Sequence, residues 1–156
     1  MRPITDFMNS IHAQIQLDEA LLVKKKDRYY LLNDKLKKLV SRDFFHAGTY
    51  LGKTKDGTFF PSFALLTQIA EGKANKVMVG DRAEWLFICG RDIFARGITE
   101  VIGSGRKGGY TLVMNKHGEC LGFGRIAGNL QAKSNVVAVK NISDVGDFLR
   151  RERRRA

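Results

Sequence analysis

Cysteine is scarce in this chain of 156 residues, and what there is stands alone: Cys89 and Cys120 form no Cys-x-x-Cys pair and no even-numbered framework. A structural zinc site or a disulfide scaffold is therefore not indicated, and buried thiols in a reducing compartment are expected instead. Long apolar runs are missing too. None approaches the roughly 20 residues needed to cross a bilayer, and the N-terminus lacks the uninterrupted apolar core of a secretory signal, so a soluble, intracellular protein is expected. The three histidines, His12, His46 and His117, lie far apart with no ligand-spaced neighbour, so no metal and no cofactor is expected. No G-x-S-x-G elbow, Walker loop or Cys with a supporting His occurs. Asp81 and Glu84 lie one helical turn apart, but Arg82 intervenes, and the pair reads as helix solubilisation or capping rather than acid–base chemistry. The chain is expected not to be an enzyme.

Acidic residues are the other deficit: 27 Lys and Arg face 16 Asp and Glu, a net charge of +11. An excess of this size suits nucleic acid, an anionic membrane or an acidic partner. It is weighted towards the C-terminal half, where residues 76–156 carry 15 basic and 8 acidic side chains against 12 and 8 in residues 1–75.

The pattern along the chain predicts an α+β protein. Phe7, Met8, Ile11 and Ile15 fall at helical spacing after a cap at Thr5 or Asp6. Residues 21–23 and 29–32 read as a strand pair around the polar turn at Lys24-Lys25-Lys26-Asp27. Asn33 caps a short helix through Leu36, Leu39 and Val40. Residues 49–53 and 58–60 flank the turn Lys55-Asp56-Gly57, and Pro61 and Ser62 start a helix through Phe63, Leu66 and Ile69 that ends at Gly72. The small, polar stretch 71–75 is the expected boundary, giving an N-terminal α/β domain over 1–73 and a second domain over 76–156. Beyond it come a strand at 76–79, a helix at 81–89 with Ala83, Leu86 and Phe87 inward, a helical turn at Ile93-Phe94-Ala95, and strands at 98–102, 110–114, 119–126 and 136–140. Strands at such short intervals suggest a small barrel. Ser143 is expected to cap a last helix through Val145, Phe148 and Leu149, running into an arginine-rich tail.

Gly103-Ser104-Gly105-Arg106-Lys107-Gly108 matches the G-x-G-x-x-G pattern of dinucleotide-binding folds, but a strand follows it where a helix N-terminus would have to carry the pyrophosphate. A barrel loop accounts for the glycines and leaves Arg106 and Lys107 as phosphate contacts. The cluster from Lys24 to Arg28, with Lys35, Lys37, Lys38 and Arg42, reads as a solvated turn and a helix outer face, interrupted by Asp27 and Asp34. The denser cluster is Arg150, Arg151, Arg153, Arg154 and Arg155, more arginine than a helix C-terminus needs for its dipole. Guanidinium forks suit phosphates, so this tail is expected to hold a polyanion.

At Gly90-Arg91-Asp92-Ile93-Phe94-Ala95-Arg96-Gly97 and Leu121-Gly122-Phe123-Gly124-Arg125 the chain resembles the PUA domain, a small RNA-binding pseudo-barrel. Met1-Arg2-Pro3-Ile4-Thr5, Tyr50-Leu51-Gly52-Lys53, Leu86-Phe87-Ile88-Cys89-Gly90 and Asp144-Val145-Gly146-Asp147-Phe148-Leu149-Arg150 are similar to the ribosome-biogenesis family called Nip-seven, in a shorter form that suggests an archaeal-type homologue. That resemblance implies an N-terminal α/β domain followed by a C-terminal PUA-type β pseudo-barrel. It also implies a non-enzymatic factor for pre-rRNA processing and large ribosomal subunit biogenesis that binds single-stranded, uridine-rich RNA. Assembly proteins or the exosome would be its partners, and its place would be cytoplasmic, or nucleolar in a eukaryote. Arg150, Arg151 and Arg154 match the family's basic RNA-binding positions. With Arg153 they form the expected RNA surface, with Arg106, Lys107 and Arg125 in support. The rival reading is an accessory RNA-binding subunit of an RNA-modification enzyme, and the N-terminal half is in either case a candidate protein-docking domain. No heptad or long unprotected edge demands a dimer, so a monomer is expected.

Overall fold

A computed structural model describes residues 1–40, 44–147 and 150. The first helix, α1 (Arg2–Ser10), starts earlier than expected, with Thr5 and Asp6 inside it rather than capping it. Pro3 explains the shift: its preset φ and missing N–H suit the first helical turn. The helix ends at Ser10, short of Ile15, and His12 two residues on has a φ of +53°. Strands β1 (Leu22–Lys25), β2 (Arg28–Leu31), β3 (Thr49–Lys55) and β4 (Thr58–Pro61) follow, and they pair antiparallel in chain order as one sheet. Between β2 and β3 lies α2 (Asp34–Leu39), where the Asn33 side chain accepts from the Leu36 N–H at 2.8 Å. After β4 comes α3 (Phe63–Glu71), capped by Ser62, whose hydroxyl accepts from the Leu65 N–H at 3.1 Å.

The second sheet holds β5 (Lys76–Val79), β6 (Ile93–Phe94), β7 (Ile98–Ile102), β8 (Tyr110–Met114), β9 (Cys120–Ile126) and β10 (Val137–Asp144), in the order β6-β10-β9-β8-β5-β7. Only β5 and β8 run parallel in this curled sheet, and α4 (Asp81–Ile88) connects β5 to β6. The mixed α+β architecture, with a curled six-stranded sheet in the second half, is the one expected.

Two cores follow from the alternation of side chains along the strands. One lies within the curled sheet beneath α4: Val77, Val79, Phe87, Ile93, Val113, Leu121, Ile126 and Val139. The other joins Ile4, Phe7, Leu51, Phe59, Leu65, Leu66 and Ile69 of the N-terminal half to Leu112, Met114 and Phe123 of the second sheet. Strand β8 thus supplies Val113 to one core and its neighbours to the other, which is why it is buried on both faces. The stretch 71–75 runs through this packing. Asn75 is 3% exposed, its amide donates to the Tyr110 carbonyl at 3.1 Å, and its Oδ1 accepts from the Ser104 N–H at 2.8 Å.

Three local expectations are corrected. Ile93 and Phe94 form a strand and Ala95–Gly97 a 3-10 turn, because Ile93 pairs with Val139 and the Ala95 N–H reaches the Val136 carbonyl at 2.9 Å. Ser143 lies in β10 opposite Phe123 rather than at a helix start, since a register shift after Asn141 accompanies a strand that runs to Asp144. Cys89 is exposed, one residue past α4 on a turn whose buried member is Phe87, and Cys120 is only half-buried, with burial pushing its thiol pKa up. No helix among the described residues is long and apolar enough to cross a membrane.

Candidate nucleic-acid interface

Helix α4 stands over the second sheet with Phe87 inward, and its spacing leaves Arg82 and Trp85, three residues apart, on the open face. Trp85 is 64% exposed, unusual for the largest apolar side chain. A groove of about 380 Å³ lies between the start of α4 and the segment from β6 to β7, lined by Arg82, Phe94, Arg96 and Thr99 among others. A second cavity of about 340 Å³ adjoins it, sharing Arg96 and Thr99 and adding Leu130 and Lys133. Gly105 touches this wall in turn, since a Cβ there would meet Leu130 Cδ1 at 3.3 Å. Arg82 and Arg96 thus line the groove, Arg96 and Lys133 the adjoining cavity, and the loop bearing Arg106 and Lys107 borders the latter at Leu130. All five cations are exposed.

The glycine-rich loop is held for this role by one backbone requirement. Gly103 has φ +81°, and a Cβ on it would lie 2.6 Å from Asn75 Oδ1, the atom that accepts the Ser104 N–H. The motif is thus a crossover loop between β7 and β8, strands that flank β5, and no helix follows it. Its far end is fixed by reciprocal backbone bonds to Ile126, from the Gly108 N–H at 2.8 Å and to the Gly109 carbonyl at 2.9 Å.

Two carboxylates, Asp81 and Asp92, line the groove beside Arg82 and Arg96, and each has a partner. Asp81 pairs with Lys116 at 2.9 Å, Glu84 accepts from the Asn115 amide at 3.2 Å, and Asp92 accepts from the Asn141 N–H at 2.9 Å. Glu100 lines the second cavity. Among the described residues no group of three or more His, Cys, Asp or Glu side chains comes together as a metal site.

The described residues among those singled out from sequence divide into three sets. Arg106 and Lys107 are exposed on the β7–β8 crossover, whose Gly105 adjoins the Leu130 wall of the second cavity, and they line neither cavity themselves. Arg125 opposes Tyr110 and Lys140 across the sheet, on the face that carries Phe123 against α1, and its guanidinium donates to the Tyr110 hydroxyl at 3.0 Å while lying 5.2 Å from that ring's centroid. Arg150 is turned inward: it donates to the Ile88 carbonyl at 2.6 Å and to both Asp144 carboxylate oxygens, at 3.1 and 2.8 Å. That hydrogen bond to Asp144 raises the guanidinium pKa further, and Asp144 itself is 2% exposed. Arg150 therefore clasps the end of the chain to α4 and β10. Arg151, Arg153 and Arg154, with Phe148 and Leu149, lie outside the described residues.

The clasp has a measurable consequence. Arg150→Ala leaves the buried Asp144 carboxylate with the Asn141 amide as its one side-chain partner among the described residues. The expected loss is about 2 kcal/mol in urea unfolding, the guanidinium's partial exposure holding it below the cost for a fully buried pair.

Arg82, Trp85, Arg96 and Lys133 were not legible as a set, being spread over 52 positions. The available signal was the chain's single tryptophan placed three residues after an arginine on a helix.

A family model described as the UPF0113 PUA domain matches residues 75–153. This chain belongs to the UPF0113 PUA-domain family. Over 148 residues it is 29% identical to a UPF0113 protein of Archaeoglobus fulgidus, covering 86% of this chain and 80% of that one. A PUA domain of Aeropyrum pernix K1, solved as a tartrate complex, superposes with a TM-score of 0.64 at 18% identity, covering 95% of this chain and 83% of that one. A PUA domain protein of Thermoplasma acidophilum superposes with a TM-score of 0.57 at 24% identity, covering 84% and 79%. These two likenesses speak for the fold, which extends over the N-terminal half as well. The PUA domain is an RNA-binding module, and the cationic groove lies within it.

Proposed function

We propose that this UPF0113 protein is a non-enzymatic factor of large ribosomal subunit assembly that holds a single-stranded, uridine-rich segment of pre-rRNA in the groove of its PUA domain. The observation that carries the reading is the pair of adjoining cavities lined by the exposed cations Arg82, Arg96 and Lys133 and by Phe94, with exposed Trp85 on the same helix as Arg82 and with Arg106 and Lys107 on the neighbouring loop. Guanidinium and ammonium groups neutralise phosphates, and exposed rings stack on unpaired bases. A duplex fits less well, since the A-form major groove hides its base edges from side chains. The Nip-seven resemblance supplies the ribosomal context, and with it assembly proteins or the exosome as partners. The cytoplasm, or the nucleolus in a eukaryote, is the matching location.

The test is crosslinking of the full chain to RNA in its own cells, followed by sequencing of the bound segments. Recovery of large-subunit rRNA precursors is expected. Recovery of guide RNAs or modified tRNA instead would replace this reading with that of an accessory subunit of an RNA-modification enzyme, and turnover of labelled RNA by the purified protein would overturn the non-enzymatic role.

A further inference from the structure

The β1–β2 hairpin carries a second concentration of positive charge, at the edge of the first sheet farthest in strand order from β4. Its turn holds Lys24, Lys25, Lys26 and Arg28 with Asp27 as the one acidic residue. Composition alone presents this as a solvated turn. The fold adds aromatic rings to it.

Tyr30 is buried beneath the hairpin and packs edge-on against Phe44, with ring centroids 5.7 Å apart, and against His46 at 5.2 Å. Its hydroxyl donates to the Phe45 carbonyl at 3.4 Å. These contacts anchor the backbone at residues 44–46 and turn Phe45 outward, where its side chain is 88% exposed. Lys25 Nζ sits 4.8 Å from the centre of the Phe44 ring. Phe44 also separates two shallow cavities. One, of about 260 Å³, is lined by Lys26, Arg28, Tyr30 and Phe45, and the other, of about 280 Å³, by Lys24, Lys37 and Val40.

An exposed ring among cations, with shallow depressions on either side of a second ring, is the arrangement that binds single-stranded nucleic acid: bases stack on the rings and phosphates lie against Lys and Arg. A solvated turn needs no outward phenylalanine, and exposing one has a cost in water. We infer that the β1–β2 hairpin with Phe45 is a second single-stranded RNA site, which engages a strand that also occupies the PUA groove. The inference rests on the RNA-binding reading of that groove. Two sites on one chain raise the effective concentration of one strand segment once the other is bound, so affinity depends on RNA length.

The experiment is fluorescence anisotropy of the full chain with a labelled uridine-rich single strand of roughly 20 nucleotides, longer than the roughly 4–16 that one small barrel covers, over a range of salt concentrations. Phe45→Ala is expected to weaken binding about 5- to 100-fold, and Phe45→Trp to restore it, because any aromatic face stacks. Lys26→Ala with Arg28→Ala is expected to reduce the slope of log affinity against log salt by about 1.4, at about 0.7 per lost phosphate contact. All three positions are exposed, so folding is retained. Wild-type affinity and slope in these variants, alongside a loss in groove variants, would overturn the second site and leave the PUA groove standing. A loss in hairpin variants with none in groove variants would remove the groove reading, and the two-site inference would fall with it, leaving the hairpin as an RNA site by itself. If hairpin variants bind RNA normally but lose binding to phosphatidylserine vesicles, the hairpin is a membrane-facing surface and the inference falls.

Discussion

Replacing Arg82 and Arg96 together by alanine is expected to weaken single-stranded RNA binding roughly 30-fold, taking two phosphate contacts at about 1 kcal/mol each. The salt dependence should flatten at the same time by about 1.4 in slope. Arg82 comes from the first turn of α4 and Arg96 from the 3-10 turn after β6, and both line the same groove. Neither shares an ion pair or hydrogen-bonded side chain with another described residue, so their removal should leave unfolding unchanged. Trp85, the one tryptophan of the chain, supplies the independent signal: its fluorescence should respond when RNA enters the groove, and the double variant should need more RNA for the same response. Arg125→Ala serves as the comparison, since that guanidinium is stacked over Tyr110 on the opposite face of β9. An unchanged salt slope in the double variant would remove the groove from the interface.

Gly122→Ala is expected to cost about 3–5 kcal/mol, a large share of the roughly 5–15 kcal/mol that holds a domain together. Gly122 sits within β9, opposite Val113 on one side and Asp144 on the other, with φ at +146°. A Cβ there would run into the Ser143 carbonyl and come within 2.8 Å of the Asp144 Cα, both backbone atoms with no rotamer to adjust. The added methyl therefore forces β9 and β10 apart where Asp144 receives the Arg150 clasp. Gly118→Ala separates the two causes. Gly118 also has a positive φ, +78°, but a Cβ on it meets nothing within 4 Å, so only the backbone strain of about 1 kcal/mol is expected. Equal midpoints for the two variants in urea unfolding would show that the close approach of β10 is not the controlling contact.

Much of the chain was legible wherever the determinant is local. Asn33 and Ser62 each cap the helix they precede, because a short polar side chain satisfies an N–H three residues on whatever surrounds it. The turn at Asp56 and Gly57 forms as expected, with φ of +50° and +75°. The last strand was misjudged because its end is set by its neighbour: Ser143 has the composition of a cap, but β9 offers it a partner in Phe123. Arg150 looked like one more member of a basic tail. Only the fold places a buried carboxylate and a free helix-end carbonyl beside it.

The sequence by itself determined the mixed architecture and the expectation of a polyanion partner, because periodicity, caps and net charge are properties of neighbouring residues or of the sum, while the PUA expectation came from the resemblance carried by its motifs. The tertiary structure decided which cations act together. Arg82 and Arg96 share one groove and Arg96 and Lys133 the adjoining cavity because the start of α4 lies beside the segment from β6 to β7, while Arg125 and Arg150 are drawn into contacts of their own. Charge can be counted along a chain, but a phosphate is neutralised only by side chains that share one surface, and that surface is made by packing.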